Sequence, residues 1–439
     1  MEKTPRTNYI AWVYAKIRQR VPLLVLKVLL IGSISVCSVL TALVTKSVVN
    51  CAIAADREGL LRSAVTLICL ALYQVFGNVL SQYLHMNLQE DMERDFKRSI
   101  LHTILRTDYS AIAGRHSGDL IQRLDSDAAA VYGAVNTMTT ALVTTVVSLL
   151  GAFSALMRMT PVFTIAFVIC GLLALGTANL MRKVLKRLSK ESSAASGRVS
   201  GFLHESISKL MVVQALDMAR EVEKRTDRTL DDRWAVRKKQ RNMSLLTRSG
   251  ISLLSSAGYM VTLLWCAWQL LSGNITPGDI TAITALVGTL QSSVVTLPML
   301  LPQLMTVSAS CDRIMELEAL PRQTDPDPKK ARAMYDTMTG FTAAHLTFAY
   351  DRDPVMTDVS LTVPKGGLTV IVGQSGIGKS TLLKLLLGLY RPQSGSLSID
   401  TPDGPIPVDR ATRSLFSYAP QGNFLLSGTI RENLTITNP

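Results

Sequence analysis

Gly373-Gln374-Ser375-Gly376-Ile377-Gly378-Lys379-Ser380 decides how the end of this chain is read. The stretch has the form G-x-x-x-x-G-K-S, a phosphate-binding P-loop. Leu368-Thr369-Val370-Ile371-Val372, just before it, is short, apolar and β-branched, and predicts a buried strand. Thr381-Leu382-Leu383-Lys384-Leu385-Leu386-Leu387, just after it, holds good helix formers with no breaker before Gly388. Strand, glycine loop and helix suit an anion. Glycines let successive backbone N–H groups turn inward, and the helix aims its positive end at the same place. Lys379 is expected to reach the β- and γ-phosphates, and the Ser380 hydroxyl to ligate Mg2+.

Outward from that loop, composition divides the chain. Charge-free windows at Val28–Thr45, Ser63–Gln89, Ala128–Met157, Met159–Met181, Ser249–Gly278 and Ile280–Cys311 are each near or above the roughly 20 residues that cross a bilayer as a helix. They predict six membrane-spanning helices. The net charge of +13, from 46 basic and 33 acidic residues, lies mostly between those windows. A nucleic-acid binder could carry that charge, but the positive-inside rule accounts better for its placement. Lys3, Arg6, Lys16, Arg18, Arg20 and Lys27 precede or open the first window. The second-to-third and fourth-to-fifth connections are also basic, and the remaining ones carry little beyond Arg57 and Arg158. Both termini and two long loops are therefore expected on the cytoplasmic side. The loops Glu90–Thr107 and Arg182–Arg241 consist largely of helix formers and read as helices continuing into the cytosol. Tyr9–Arg20 is amphipathic and is expected at the membrane interface.

The windows contain no Asp, Glu, Lys or Arg, which weighs against a proton relay. Polar positions such as Gln74, Asn136, Asn179 and Gln291 are expected to hydrogen-bond between helices. The six cysteines form no metal-binding spacing. Pro321-Arg322-Gln323-Thr324-Asp325-Pro326-Asp327-Pro328 is a linker by composition. His345–Tyr350 and Val359–Val363 alternate as strands, so an α/β nucleotide-binding domain follows the linker. The organisation is a membrane region over 1–320, a linker over 321–340 and a partial nucleotide-binding domain over 341–439.

Taken together, these residues resemble an ATP-binding cassette transporter of the exporter type, a half-transporter whose membrane domain precedes its nucleotide domain. The resemblance runs along the whole chain. It rests on Gly373–Thr381 and on Phe416–Leu434, which looks like the family's Q-loop region. Ser117–Leu124, Gly201–Ser206 and Gly273–Asp279 match it in the membrane half. The resemblance implies binding of ATP and Mg2+ at Gly373, Gln374, Ser375, Gly376, Ile377, Gly378, Lys379, Ser380 and Thr381. It implies adenine stacking on Tyr350, and a Gln421 that contacts Mg2+ and the attacking water, the one catalytic candidate. It also implies coupling helices near Tyr109–Arg115 and Leu216–Glu223, with Phe424 lining the groove that receives such tips.

The partners implied are the lipid bilayer, a second half-transporter (identical or related) and an unidentified cargo, with no nucleic acid. The implied location is the plasma membrane. The family's LSGGQ-like loop, Asp-Glu pair and switch histidine do not occur before Pro439. The chain as given is thus expected to be a fragment that does not turn over ATP. Two readings stay open beside ATP-driven export: an incompetent subunit that at most binds ATP, and an uptake transporter of the same architecture.

Overall fold

The computed structural model describes residues 9–323, 328–350, 354–419 and 425–435. Its helices are α1 (Tyr9–Ile17), α2 (Val21–Ile53), α3 (Arg57–Arg106), α4 (Tyr109–Ile112), α5 (Ser117–Gln122), α6 (Ala128–Met159), α7 (Pro161–Ser208), α8 (Leu210–Ala215), α9 (Ala219–Leu271), α10 (Pro277–Glu318) and α11 (Pro328–Thr337). Strands β1 (Gly340–Ala349) and β2 (Pro354–Pro364) follow. Then come α12 (Lys379–Leu386), β3 (Ser394–Asp400), β4 (Ile406–Pro407) and α13 (Ile430–Thr435). The chain divides into one unit of residues 17–90 and 134–305 and another of residues 1–16, 91–133 and 306–439.

The first unit is a bundle of long helices. Among the described residues, four helical stretches are long and apolar enough to cross a membrane: Tyr9–Ile53, Arg57–Arg106, Ser117–Met159 and Ala219–Leu271. Helices α7 and α10 cover the other two expected windows. The surface carries Leu29, Phe76, Leu264 and Trp268 exposed, as suits an integral membrane protein facing lipid. Inside, Val39, Leu156, Cys266, Ile283, Leu286 and Leu290 form a core. Phe163 stacks on Trp265 beside it, with ring centroids 4.3 Å apart. Gly278 opens α10 where nothing larger fits: a Cβ there would lie 2.3 Å from the Lys46 carbonyl. Beside it, Lys46 pairs with Asp279 at 2.6 Å.

Three of the expected polar positions, Gln74, Asn136 and Gln291, bond between helices, and the Asn179 side chain lies outside what the structure describes. Gln74 donates to Thr41 at 2.8 Å, and Gln291 to the Ser255 carbonyl at 3.2 Å. Asn136 donates to the His85 carbonyl at 2.8 Å and to Gln89 at 3.2 Å. By sequence Lys27 only opens the first span, yet its side chain is buried among α2, α3 and α6. Its ammonium donates to the Asn136 carbonyl (3.0 Å) and amide oxygen (2.6 Å) and lies 3.0 Å from His85 Nδ1. Three neutral acceptors replace its water shell, which is how a buried cation is tolerated without a touching carboxylate.

In the second unit, α1 packs on protein: Tyr9 donates to Asp312 at 2.8 Å, and Trp12 to Glu318 at 2.8 Å. A π-turn at Arg123–Asp127 precedes α6. Arg123 donates to Asp119 at 3.0 Å and to Glu316 at 3.1 Å, and Arg115 to Glu316 at 2.8 Å. Asp127 accepts from Arg313 and, at 3.0 Å, from Ser310. This network ties the end of α10 to α5 and the start of α6.

The sheet runs β2-β1-β3-β4, antiparallel throughout. Both expected strand segments lie in it, His345–Tyr350 almost wholly in β1 and Val359–Val363 in β2. Leu346, Phe348, Met356 and Leu397 pack from the sheet against Leu382 and Leu385 of α12. The buried strand expected at Leu368–Val372 does not form: the segment has no regular secondary structure, and Leu368, Val370 and Val372 are exposed. A strand needs a hydrogen-bonded neighbour. Among the described residues the sheet supplies none for this segment.

Candidate functional site

The glycine loop leads directly into α12, which starts at Lys379, two residues earlier than the sequence pattern suggests. Gly376 and Gly378 have φ of +90° and +103°, in the left-handed region open to glycine. Gly378 is the N-cap, and a Cβ there would meet Val355 Cγ1 at 3.0 Å. A Cβ at Gly376 would meet nothing within 4 Å, so the loop has open space beside it. The first N–H groups of α12 have no acceptor within the helix, and they face the loop together with the positive helix end. Lys379 folds back over the loop and donates to the Gly373 carbonyl at 2.8 Å and the Gln374 carbonyl at 2.6 Å. An anion in the loop would offer that ammonium stronger acceptors than these carbonyls. Thus the residues present fit a nucleotide phosphate chain.

Tyr350, at the end of β1, stands beside this loop. Its hydroxyl lies 3.1 Å from the Thr381 hydroxyl. Its ring is half exposed and packs edge-on against Phe348 and Tyr390, with centroids 5.1 and 5.2 Å away. The Lys384 ammonium is 5.9 Å from its centroid. Tyr350, Lys379, Ser380 and Thr381 are thus brought together by β1 and α12. Gln421 and Phe424 lie outside the described residues. No cluster of three His, Cys, Asp or Glu exists among the described residues. A metal here would therefore be held by a nucleotide's own oxygens and few protein groups, the habit of Mg2+.

The other end of α12 carries contacts that pattern reading missed. Arg413 donates from Nε to the Leu387 carbonyl and from Nη2 to the Gly388 carbonyl, both at 2.9 Å. These carbonyls lie in the turn directly after α12, where a cation also suits the negative helix end. Arg413 Nη1 donates to the Gln323 amide oxygen at 3.2 Å. Burial pulls the Arg413 pKa below the ordinary arginine value, and the neighbouring Arg410 adds to this. Tyr390 stacks edge-on against Tyr109 at 5.5 Å.

One tip expectation agrees with the structure and one shifts. Tyr109–Arg115 contains α4, capped by the Asp108 side chain through the Ser110 N–H. The resemblance puts the second tip at Leu216–Glu223. The short helix instead covers Leu210–Ala215, and a turn at Leu216–Met218 leads into α9. Asp217, with φ of +51°, ends the run there, a conformation Asp tolerates better than most residues.

Comparison with known proteins places these features in a family. Residues 24–294 match the ABC transporter transmembrane region, and residues 356–438 match the ABC transporter domain. The chain is 24% identical over 382 residues to the toxin RTX-I translocation ATP-binding protein of Actinobacillus pleuropneumoniae, covering 85% of this chain and 53% of that protein. It is 25% identical over 391 residues to the mesentericin-Y105 transport/processing ATP-binding protein of Leuconostoc mesenteroides, covering 84% and 52%. It is 23% identical over 362 residues to a fatty acid ABC transporter ATP-binding/permease protein of Mycobacterium tuberculosis, covering 82% and 56%. The chain spans about half the length of the curated relatives it matches. With both matches in this order along one chain, it belongs to the ATP-binding cassette transporters, as an exporter-type half-transporter with a membrane domain and a nucleotide-binding domain.

Proposed function

We propose that this protein serves as one half of an ATP-driven exporter, paired in the membrane with a second copy or a related half. The observation that carries the reading is a glycine loop opening α12 in the same chain as a bundle of lipid-facing helices. Six helices cross the plasma membrane, and both termini are cytoplasmic; the charge-free windows and the basic loops support that orientation. Gly373 to Gly378 and the first N–H groups of α12 cradle the phosphates. Lys379 balances their charge, Ser380 supplies a ligand for Mg2+, and Thr381 ends the cradle. Tyr350 offers its open ring face to adenine, and Gln421 orients the attacking water. Bound ATP with Mg2+ supplies the phosphoryl-transfer chemistry.

The network of Arg115, Arg123 and Glu316 makes the end of α10 move with the segment around α4 and α5. Displacement at the nucleotide domain thereby reaches the helices. The names of the relatives give a toxin, mesentericin and a fatty acid as cargo. This range leaves the cargo class to experiment.

The test is ATP binding and phosphate release by the protein in lipid nanodiscs, with a panel of lipids, amphiphiles and peptides added. Nucleotide binding that requires Lys379 is the expected outcome for this chain, and turnover that responds to one cargo class is expected only where the LSGGQ-like loop, the Asp-Glu pair and the switch histidine are also supplied. No nucleotide binding by the protein would overturn the reading.

A further inference from the structure

The segment leaving α10 is zipped to the segment leaving α3. The Asp108 N–H donates to the Pro321 carbonyl, and the Gln323 N–H to the Arg106 carbonyl, both at 2.8 Å. Thr107 and Arg322 form the antiparallel bridge between them. This pairing brings the Gln323 side chain between two charged groups. Its amide oxygen accepts from Arg413 Nη1 at 3.2 Å, and its amide nitrogen donates to Asp108 Oδ1 at 3.3 Å. A neutral amide can accept from a guanidinium and donate to a carboxylate at once, which neither a carboxylate nor an ammonium can do. Asp108 Oδ1 in turn caps α4, accepting from the Ser110 N–H at 3.2 Å and the Ser110 hydroxyl at 3.0 Å. Arg413 holds the Leu387 and Gly388 carbonyls of the turn that follows α12.

We propose that Gln323 is a positioning residue that relays the position of the P-loop helix to the α4 tip. This rests on the nucleotide-binding reading above. The eight-residue α12 is a rigid rod about 12 Å long. Its first turn meets the phosphate loop, and Arg413 grips the carbonyls of Leu387 and Gly388 directly after its last residue. Settling of the first turn onto a ligand shifts those carbonyls, and Arg413 follows them. Gln323 passes the shift to Asp108, and Asp108 to the first turn of α4. Tyr350, Tyr390 and Tyr109 run in parallel as edge-to-face ring pairs. The directional hydrogen bonds of this corner run through Gln323. A purely structural Gln323 would stabilise this corner equally with and without nucleotide.

The experiment is hydrogen exchange of residues 106–115 in the intact protein in nanodiscs, with and without ATP and Mg2+. In the unaltered protein, nucleotide slows exchange of this segment. Gln323→Ala abolishes more than about half of that nucleotide-dependent change while ATP affinity stays within about twofold. Gln323→Glu has the same effect, since its carboxylate opposes Asp108. Gln323→Glu with Asp108→Asn restores the response, because the donor and acceptor have changed places and the introduced amide oxygen still caps α4.

Unchanged nucleotide-dependent protection in Gln323→Ala would overturn the relay, as would a double variant no better than Gln323→Glu. ATP binding without any response at 106–115 in the unaltered protein overturns the relay alone. Absence of ATP binding overturns both it and the functional reading.

Discussion

The N-terminal end of α12 emerges from a glycine loop with open space beside Gly376, and among the described residues its lysine is held by loop carbonyls. The C-terminal end is gripped by a half-buried guanidinium that also holds the linker residue Gln323. One end keeps its donors available for an anion, and the other has its acceptors satisfied by protein. A helix arranged this way is anchored at the rear and answers to ligand at the front. The same contrast separates the exposed segment Leu368–Val372 from the antiparallel sheet nearby, whose inner residues pack on α12.

The largest effect that would sharpen this contrast comes from the anchored end. Arg413→Ala strips donors from the Leu387 and Gly388 carbonyls just after α12 and should cost about 2–3 kcal/mol of nucleotide-domain stability. Arg413→Lys should recover only part, because an ammonium lacks the planar fork. Denaturant unfolding of the protein measures this. A loss below about 0.5 kcal/mol would mean that the rear of α12 is not anchored by Arg413.

At the open end, Tyr350→Ala removes one ring face and should weaken ATP binding about fivefold, or ~1 kcal/mol. Tyr350→Phe should stay near the unaltered protein, since the hydroxyl bonds only Thr381. Equal losses in both variants would assign the effect to that hydroxyl and not to stacking.

The smallest effect concerns the network below α10. Arg115, and behind it Arg123, hold Glu316 below the ordinary glutamate value of 4.5. A lowered folded-state value means that the stabilisation is complete above pH 4.5 and is lost as the pH falls through that lowered value. Glu316 is about half exposed, so the contribution should stay under about 1 kcal/mol. Thermal unfolding across pH 3–6, read against Glu316→Gln, should show the two proteins converging in acid. A gap that persists at the acid end would rule out the ion pairs as its source.

Much of this was legible in the sequence because it is local. The P-loop glycines, β1 and β2 follow from residue type at fixed spacing, and the α4 tip from the family resemblance. What escaped was non-local. Leu368–Val372 has strand chemistry, but strand formation depends on a neighbour that the segment itself does not carry. Lys27 reads as a flanking charge until α3 and α6 bring His85 and Asn136 around it. Gln323 reads as linker, and only the pairing of 321–323 with 106–108 sets it between Arg413 and Asp108. The second tip differs because the backbone turns at Asp217, after Leu210–Ala215 and before α9, within the stretch expected to be one helix.

The most direct measurement is the ATP dissociation constant of the protein in nanodiscs, compared with that of Lys379→Ala. Loss of this charge-assisted contact with the phosphates, worth ~1.5–3 kcal/mol, should weaken binding roughly ten- to a hundredfold. Gly373 to Ser380 would then be the nucleotide site. An unchanged constant, or no measurable ATP binding by the unaltered protein, would contradict that assignment.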